Sequence, residues 1–426
     1  MTRSHQKWVA SFAVHLITLV LFAACSASPR RTTQEVVPVP RIVGYFTNFS
    51  NYPAKSLITS GSAERLSVIN YAFAVPSGNR CVLTDSDEDY KKIYGPINSV
   101  DGKSDIEEPL RGNFGQLKKL KQMYPHLKIV ISIGGWTGSG GFSDASLPEN
   151  REAFVASCID MFIKGNVSVA TPPGIAAGLF DGIDIDWEYP AAEGAPGNVV
   201  RPEDAQNFTA LLAEFRKQLD AVDPNLLLTI AASANERHYS LMEIEKIHPL
   251  LDWINLMTYD FHGAWEAQGP TNFHSPLYGS DDDPSTFHDS GYTDYTVQSF
   301  LKAGVPPDKL VVGVPFYGRG WTGVTNKDNG RYQPAEKPSA GAEPGSSSYA
   351  TLRKQEAPGF LDPDTKAYFT FDGTTFWSYD TPESLAYKTE YVMKNHLGGI
   401  MFWELSGDTR DGELIKAIAE GLSISK

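Results

Sequence analysis

Eight short apolar runs, several followed by a longer amphipathic stretch, set the strongest limit on how this chain can fold. They are Arg41–Phe46, Leu66–Ala74, Leu127–Gly134, Gly182–Trp187, Leu227–Ala232, Trp253–Tyr259, Leu310–Pro315 and Gly399–Trp403. Helical patterns such as Ala205–Val222 and Glu383–Asn395 separate some of them. A buried run followed by a helix, repeated, specifies a parallel sheet covered by helices. Eight such units close into a (β/α)8 barrel, so the expected fold class is α/β, a TIM barrel. The competing reading is a doubly wound open sheet. Gly134-Gly135 lacks the Gly-x-Gly-x-x-Gly spacing of its dinucleotide site.

One connection is too long for a single helix. Residues 321–379, between the seventh and eighth runs, are rich in Gly, Pro, Ser, Tyr and Phe. The apolar content of Ala367–Phe371 and Thr375–Tyr379 argues that this stretch folds. It is expected to form a small inserted α+β subdomain within a barrel spanning 41–426.

The fourth run contains Asp181-Gly-Ile-Asp-Ile-Asp-Trp-Glu-Tyr-Pro190. Strand side chains alternate sides, so Asp184, Asp186 and Glu188 share one face, and Ile183, Ile185 and Trp187 the other. In a barrel strand the apolar set packs outward on helices and the acidic set points inward. Poorly hydrated carboxylates that face one another raise each other's pKa. Glu188 lies at the C-terminal end of the run, where barrel active sites are built, and a raised carboxyl pKa serves proton chemistry. Two other readings stand beside this one: a solvated edge strand, and oxygen ligands for Mg²⁺ or Ca²⁺. The long apolar flanks disfavour the first. With no CxxC and no clustered His, a structural zinc site has little support; proton chemistry is preferred over the Mg²⁺ or Ca²⁺ reading, and no metal or cofactor is expected.

The Asp-x-x-Asp-x-Asp-x-Glu pattern resembles the signature of glycoside hydrolase family 18, the chitinases. Four further motifs, in order, are similar to that family: Ser132-Ile-Gly-Gly-Trp136, Met257-Thr-Tyr-Asp260, Gly313-Val-Pro-Phe-Tyr-Gly-Arg319 and Gly398-Gly-Ile-Met-Phe-Trp-Glu404. The resemblance runs from about Arg41 to the C-terminus, and the insertion sits where bacterial chitinases of the family carry theirs. It implies hydrolysis of β-1,4 links between N-acetylglucosamine units with retention, in which the substrate's own acetamido oxygen forms an oxazolinium ion. Glu188 would then be the acid and later the base. Asp186 would hold the acetamido N–H, Asp184 would share a proton or hydrogen bond with Asp186, and Tyr259 would bond the acetamido oxygen.

Substrate contacts are expected from Tyr45, Phe46, Trp136, Tyr189, Met257, Asp260, Trp265, Tyr317, Arg319 and Trp403, since sugar rings stack on aromatics. Trp403 is the expected floor beneath the distorted sugar. Trp321 is expected either to join them or to anchor the insertion, and Asp181, of opposite parity, is expected to be structural. The partners implied are chitin or its oligosaccharides. Endo-β-N-acetylglucosaminidases and non-catalytic lectins are the rival readings; the presence of Glu188 weakens the latter.

Composition narrows the partners from the other side. A net charge of −14 repels phosphates and speaks against nucleic acid and acidic membranes. Arg3 and Lys7, an apolar run from Trp8 to Ala24 and then Cys25-Ser-Ala-Ser have the order of a secretory leader. Residues 1–27 are therefore expected to be a signal peptide and 28–40 a polar linker. Cleavage before Cys25 would leave a lipid anchor, the one expected membrane contact; cleavage near Ala27 would release a soluble monomer. Cys81 and Cys158 are expected either to pair or to remain free thiols.

Overall fold

The computed structural model describes residues 39–423; the leader, Cys25 and nearly all of the linker lie outside them. Eight strands form a closed parallel sheet: β1 (Arg41–Thr47), β2 (Val68–Ser77), β3 (Lys128–Gly134), β4 (Gly182–Asp186), β5 (Leu227–Ser233), β6 (Trp253–Met257), β7 (Leu310–Pro315) and β8 (Gly399–Trp403). Closure is shown by β1, which pairs with β8 on one side, Arg41 opposite Gly399, and with β2 on the other, Val43 opposite Val68. This is the expected barrel. A short strand, Arg80–Leu83, runs antiparallel to the end of β2.

Strand parity sorts the side chains into two cores. Ile42, Ile69, Ile131, Ile183, Ile185, Ile230, Leu256, Val312 and Ile400 belong to a large outer cluster with the helices. Val43, Tyr45, Val68, Val130, Trp253, Val311 and Met401 form a smaller cluster inside the barrel. The helices expected over 205–222 and 383–395 are Asp204–Val222 and Pro382–Lys394. The second opens with Pro at its first turn and a capping box in which Thr381 and Ser384 bond each other's backbone N–H.

The segment between β7 and β8 builds a second, antiparallel sheet, in the order Lys337–Pro338, Tyr317–Thr322, Thr375–Tyr379, Tyr368–Phe371 and Gly359–Leu361, with Ser346–Ser348 also on the second of these. With the helix Tyr349–Leu352 it fits an inserted α+β subdomain. The sheet begins at Tyr317, ahead of the expected start at Trp321. The reason is that one strand serves two purposes: Tyr317 and Arg319 reach the barrel mouth while Trp321 fills the insertion's own core with Phe273, Phe369, Phe371 and Phe376. Trp321 also donates to the Glu266 carbonyl at 2.8 Å. It anchors the insertion.

Cys81 and Cys158 are joined in a disulfide, with Cα atoms 5.1 Å apart. It ties the Arg80–Leu83 strand to the helix Arg151–Cys158, and both cysteines are buried.

Candidate active site

Outward packing of β4 is what carries its acids inward. Trp187 is buried, lying flat on Phe142 at a ring separation of 5.2 Å and edge-on to Phe208 at 5.7 Å. With Ile183 and Ile185 it fixes the strand's rotation, so Asp184, Asp186 and Glu188 are buried on the opposite face at rising height.

Asp184, the deepest, accepts from four donors: Ser132 Oγ at 2.7 Å, Tyr45 Oη at 3.0 Å, Thr229 Oγ1 at 2.5 Å and Asn255 Nδ2 at 3.3 Å. Burial raises its pKa, and these bonds oppose that shift. Both its oxygens are taken by these donors, so the expected Asp184–Asp186 hydrogen bond is not made in this arrangement. Asp186 is the contrast: its buried Oδ1 has no hydrogen-bond partner among the described residues. Burial, then the charges of Glu188 and Asp184, push it well above the ordinary carboxylate range. A proton shared along this face therefore resides on Asp186, next to an oxygen free for a ligand.

Glu188 is pushed up to about 7, chiefly by burial and also by the charge of Asp260, while the Tyr189 phenol opposes the shift. Its backbone is fixed on both sides. The Glu188 N–H donates to Ser139 Oγ at 2.9 Å, and Asn198 Nδ2 donates to the Glu188 carbonyl at 3.1 Å. The Gly134-Gly135 pair of β3 explains itself here. Gly135 N–H donates to the Asp186 carbonyl at 2.8 Å. Gly134 has φ +118°, and a Cβ on it would lie 2.1 Å from that carbonyl oxygen. Only glycine permits this approach.

Tyr259 enters from the end of β6. Among the described residues its hydroxyl makes one weak hydrogen-bond contact, to Met401 Sδ at 3.9 Å. Burial and the surrounding carboxylates Asp186, Asp260, Glu188 and Asp184 hold its pKa well above the usual phenol value, so it stays a proton donor. Gly313 lies beneath it: a Cβ there would meet the Leu256 carbonyl oxygen at 2.1 Å and the Tyr259 ring at 3.0 Å.

Asp260, at φ +57°, is gripped by Arg319 through two bonds of 2.7 and 2.8 Å and by Tyr317 Oη at 2.8 Å. Burial alone would raise its pKa, but the Arg319 guanidinium holds it well below the usual range. Its backbone N–H donates to His274 Nδ1 at 3.1 Å, and His274 Nε2 donates to the Tyr317 carbonyl at 3.2 Å. Trp403 is half-buried between Phe73, parallel at 5.6 Å, and Tyr45, tilted at 5.3 Å. Met257 packs on the inner cluster beneath.

The structure thus gathers Tyr45, Asp184, Asp186, Glu188, Met257, Tyr259, Asp260, Tyr317, Arg319 and Trp403 at one mouth of the barrel. Trp136 and Tyr189 stand together nearby, rings 6.4 Å apart, and Trp265 lies against the Arg319 guanidinium at 5.4 Å. Trp136 and Trp265 keep about half their surface exposed, at 49% and 58%. Phe46 is a correction. Expected beside Tyr45 as a substrate contact, it is turned outward by period two, where it is 1% exposed and stacks on Tyr71 at 5.9 Å. Asp181 sits at the opposite end of β4, accepting from the Ile129 N–H at 2.9 Å and paired with Lys121 at 2.7 Å. That is a structural role.

Sequence reasoning passed over Ser132, Thr229 and Asn255, which hold Asp184. Their signal is readable: each is a polar residue at an inward position of an otherwise apolar run. Phe73, His274 and Ser139 carry no comparable signal.

The family model "Glycosyl hydrolases family 18" matches residues 41–408. Chitinase 63 of Streptomyces plicatus is 42% identical over 390 residues, covering 89% of this chain and 60% of that protein. Chitinase A1 of Niallia circulans is 36% identical over 445 residues, covering 94% and 61%. The chain thus spans about three fifths of the length of these curated relatives. The solved catalytic domain of psychrophilic chitinase B from Arthrobacter TAD20 superposes with a TM-score of 0.87 at 37% identity, covering 91% of this chain and 96% of that one.

Proposed function

This chain belongs to glycosyl hydrolases family 18, and from that premise we propose that it is a chitinase acting on chitin or its N-acetylglucosamine oligosaccharides outside the cell. The observation that carries the reading is the contrast along β4. Asp184 is saturated with donors, Asp186 presents a buried oxygen with no partner, and Glu188 has its pKa near 7.

A sugar seated over Trp403 would bring its acetamido group between Asp186 and Tyr259. Asp186 accepts from the acetamido N–H with its free Oδ1, and the Tyr259 hydroxyl donates to the acetamido oxygen. That oxygen attacks the anomeric carbon as the glycosidic C–O bond breaks. Glu188 gives its proton to the departing oxygen, so the leaving sugar departs as a neutral alcohol. The oxazolinium ion carries the positive charge, which the buried carboxyl groups of β4 beside it offset. Water then adds to the anomeric carbon from the side the first sugar left, losing a proton to Glu188, while the bond from that carbon to the acetamido oxygen breaks and the acetamido group is regenerated. The configuration is retained and the acid is restored.

Trp403, Tyr45, Met257, Tyr317 and Arg319 are assigned to the sugar at the centre, Trp136 and Tyr189 to one side of it and Trp265 to the other. Asp260 acts there through its hold on Tyr317 and Arg319. The leader would export the protein, and intact-mass analysis of the mature form separates a lipidated Cys25 from cleavage near Ala27.

Glu188→Gln keeps shape and loses the proton. It should bind N-acetylglucosamine oligomers nearly as well as the parent and hydrolyse them orders of magnitude more slowly. Normal turnover would sink the assignment. A product profile on oligomers of increasing length, beside release from a high-mannose glycoprotein, separates chitinase from endo-β-N-acetylglucosaminidase.

A further inference from the structure

Next to the acid stands a residue that no step above uses. His238 follows the end of β5, and its imidazole lies flat against the Tyr189 ring, with centroids 3.9 Å apart and planes 19° from parallel. Its Nδ1 meets Ser233 Oγ at 2.9 Å. Ser233 is itself fixed by the Asn235 N–H at 3.1 Å, and Asn235 caps the turn Glu236–Tyr239 that bears His238. The imidazole is thus locked to the neighbouring barrel strand. The Tyr189 ring also meets Trp136 edge-on at 6.4 Å, and Trp136 is half exposed.

We propose that His238 is a positioning residue for the acid, clamping the Tyr189 ring so that its phenol stays beside the Glu188 carboxyl. The proposal rests on Glu188 being the acid. A flat stack at van der Waals distance restricts both tilt and swing of a ring whose backbone adjoins the acid directly. A group set this way keeps its neighbour within the fraction of an ångström that proton transfer requires.

Charge supports the geometry. Burial, helped by the Arg237 charge, takes His238 down to about 4, so the imidazole is neutral from about there up through the range in which Glu188 titrates. A neutral clamp leaves the proton affinity of Glu188 to its other neighbours. These are Asp186 and Asp184 from β4, Tyr189 itself, and Tyr259 and Asp260 from the end of β6, with Arg319 and His274 bound to Asp260. Among them the Tyr189 phenol favours the ionised carboxyl. Loosening Tyr189 therefore raises the Glu188 pKa, and placing a cation at position 238 lowers it.

The test is the pH–rate profile of the full chain on an N-acetylglucosamine oligomer, for the parent, His238→Ala, His238→Phe and His238→Lys. His238→Ala should cut kcat about tenfold with KM within about twofold, and move the alkaline limb upward by about half a pH unit. His238→Phe keeps a flat ring and should restore most of kcat. His238→Lys should move the limb downward. Should His238→Ala fold poorly, Ser233→Ala, which leaves the imidazole in place but unfixed, carries the same expectation at smaller size. An unchanged limb in all variants, or no rescue by Phe, overturns the proposal. Glu188→Gln run in parallel keeps the two readings apart: if it turns over normally, the assignment of the acid has failed and the proposal falls with it, whereas a slow Glu188→Gln beside an unchanged limb in the His238 variants overturns the clamp alone.

Discussion

Removing one oxygen from Tyr259 should separate stability from catalysis cleanly. The ring fills space against Met401 and lies edge-on to Tyr317 at 6.3 Å, and Tyr259→Phe keeps all of that. What is lost is a hydroxyl whose one contact is a thioether sulfur at 3.9 Å. An ordinary buried hydrogen bond contributes about 1 kcal/mol and a contact this long far less, so folding stability should change by under about 0.5 kcal/mol in either direction. At this chain length that is a melting shift of roughly 1 °C or less. The rate should behave oppositely. A fixed donor aimed at the reacting oxygen is worth about 3 kcal/mol, or roughly 10²–10³ in kcat. Burial and four carboxylates keep the phenol protonated, so the loss should be the same at every pH where the parent is active. Urea unfolding gives the first quantity, and steady-state turnover of an N-acetylglucosamine oligomer the second. A variant within threefold of the parent rate, or one destabilised by more than about 1.5 kcal/mol, would show that Tyr259 is a packing residue.

The Glu188 pKa near 7 sets the alkaline limb: turnover should fall as pH rises through about 7, and shifting that limb by neutralising Asp260 should move it downward. The same carboxyl has an ordinary value of 4.5, so its folded value is raised. The stability it contributes is full below about 4.5 and lost as pH climbs through about 7, on the order of 3 kcal/mol, and Glu188→Gln should flatten that fall in denaturation curves. Gly134→Ala should cost about 3 kcal/mol or more, because its Cβ would lie 2.1 Å from the Asp186 carbonyl oxygen at φ +118°; near-parental denaturation would refute this. Replacing both Cys81 and Cys158 by Ser opens a link across 77 residues and should cost roughly 4 kcal/mol, read as a lowered melting temperature that reductant reproduces in the parent.

Much of this site was legible because a strand has only two faces. Period two, which sets Asp184, Asp186 and Glu188 against Ile183, Ile185 and Trp187, already determines which side chains meet inside a closed sheet. Eight runs of the right length determine the closure, and the five ordered motifs place the strand ends. The same rule, applied to Phe46, would have turned it outward; adjacency to Tyr45 in the chain is no guide to adjacency in space.

What only the tertiary structure decided are the relations between strands. Sequence separation hides that Tyr45, Ser132, Thr229 and Asn255, from four strands, converge on one carboxylate and leave Asp186 as the unpartnered one. It equally hides the pairing of Cys81 with Cys158, the grip of Arg319 on Asp260 from the insertion's first strand, and the stack of His238 on Tyr189. The physical reason is that periodicity is a local property of backbone geometry, whereas register and curvature, which bring distant side chains to within 3 Å, are set by how all eight strands and their helices pack at once.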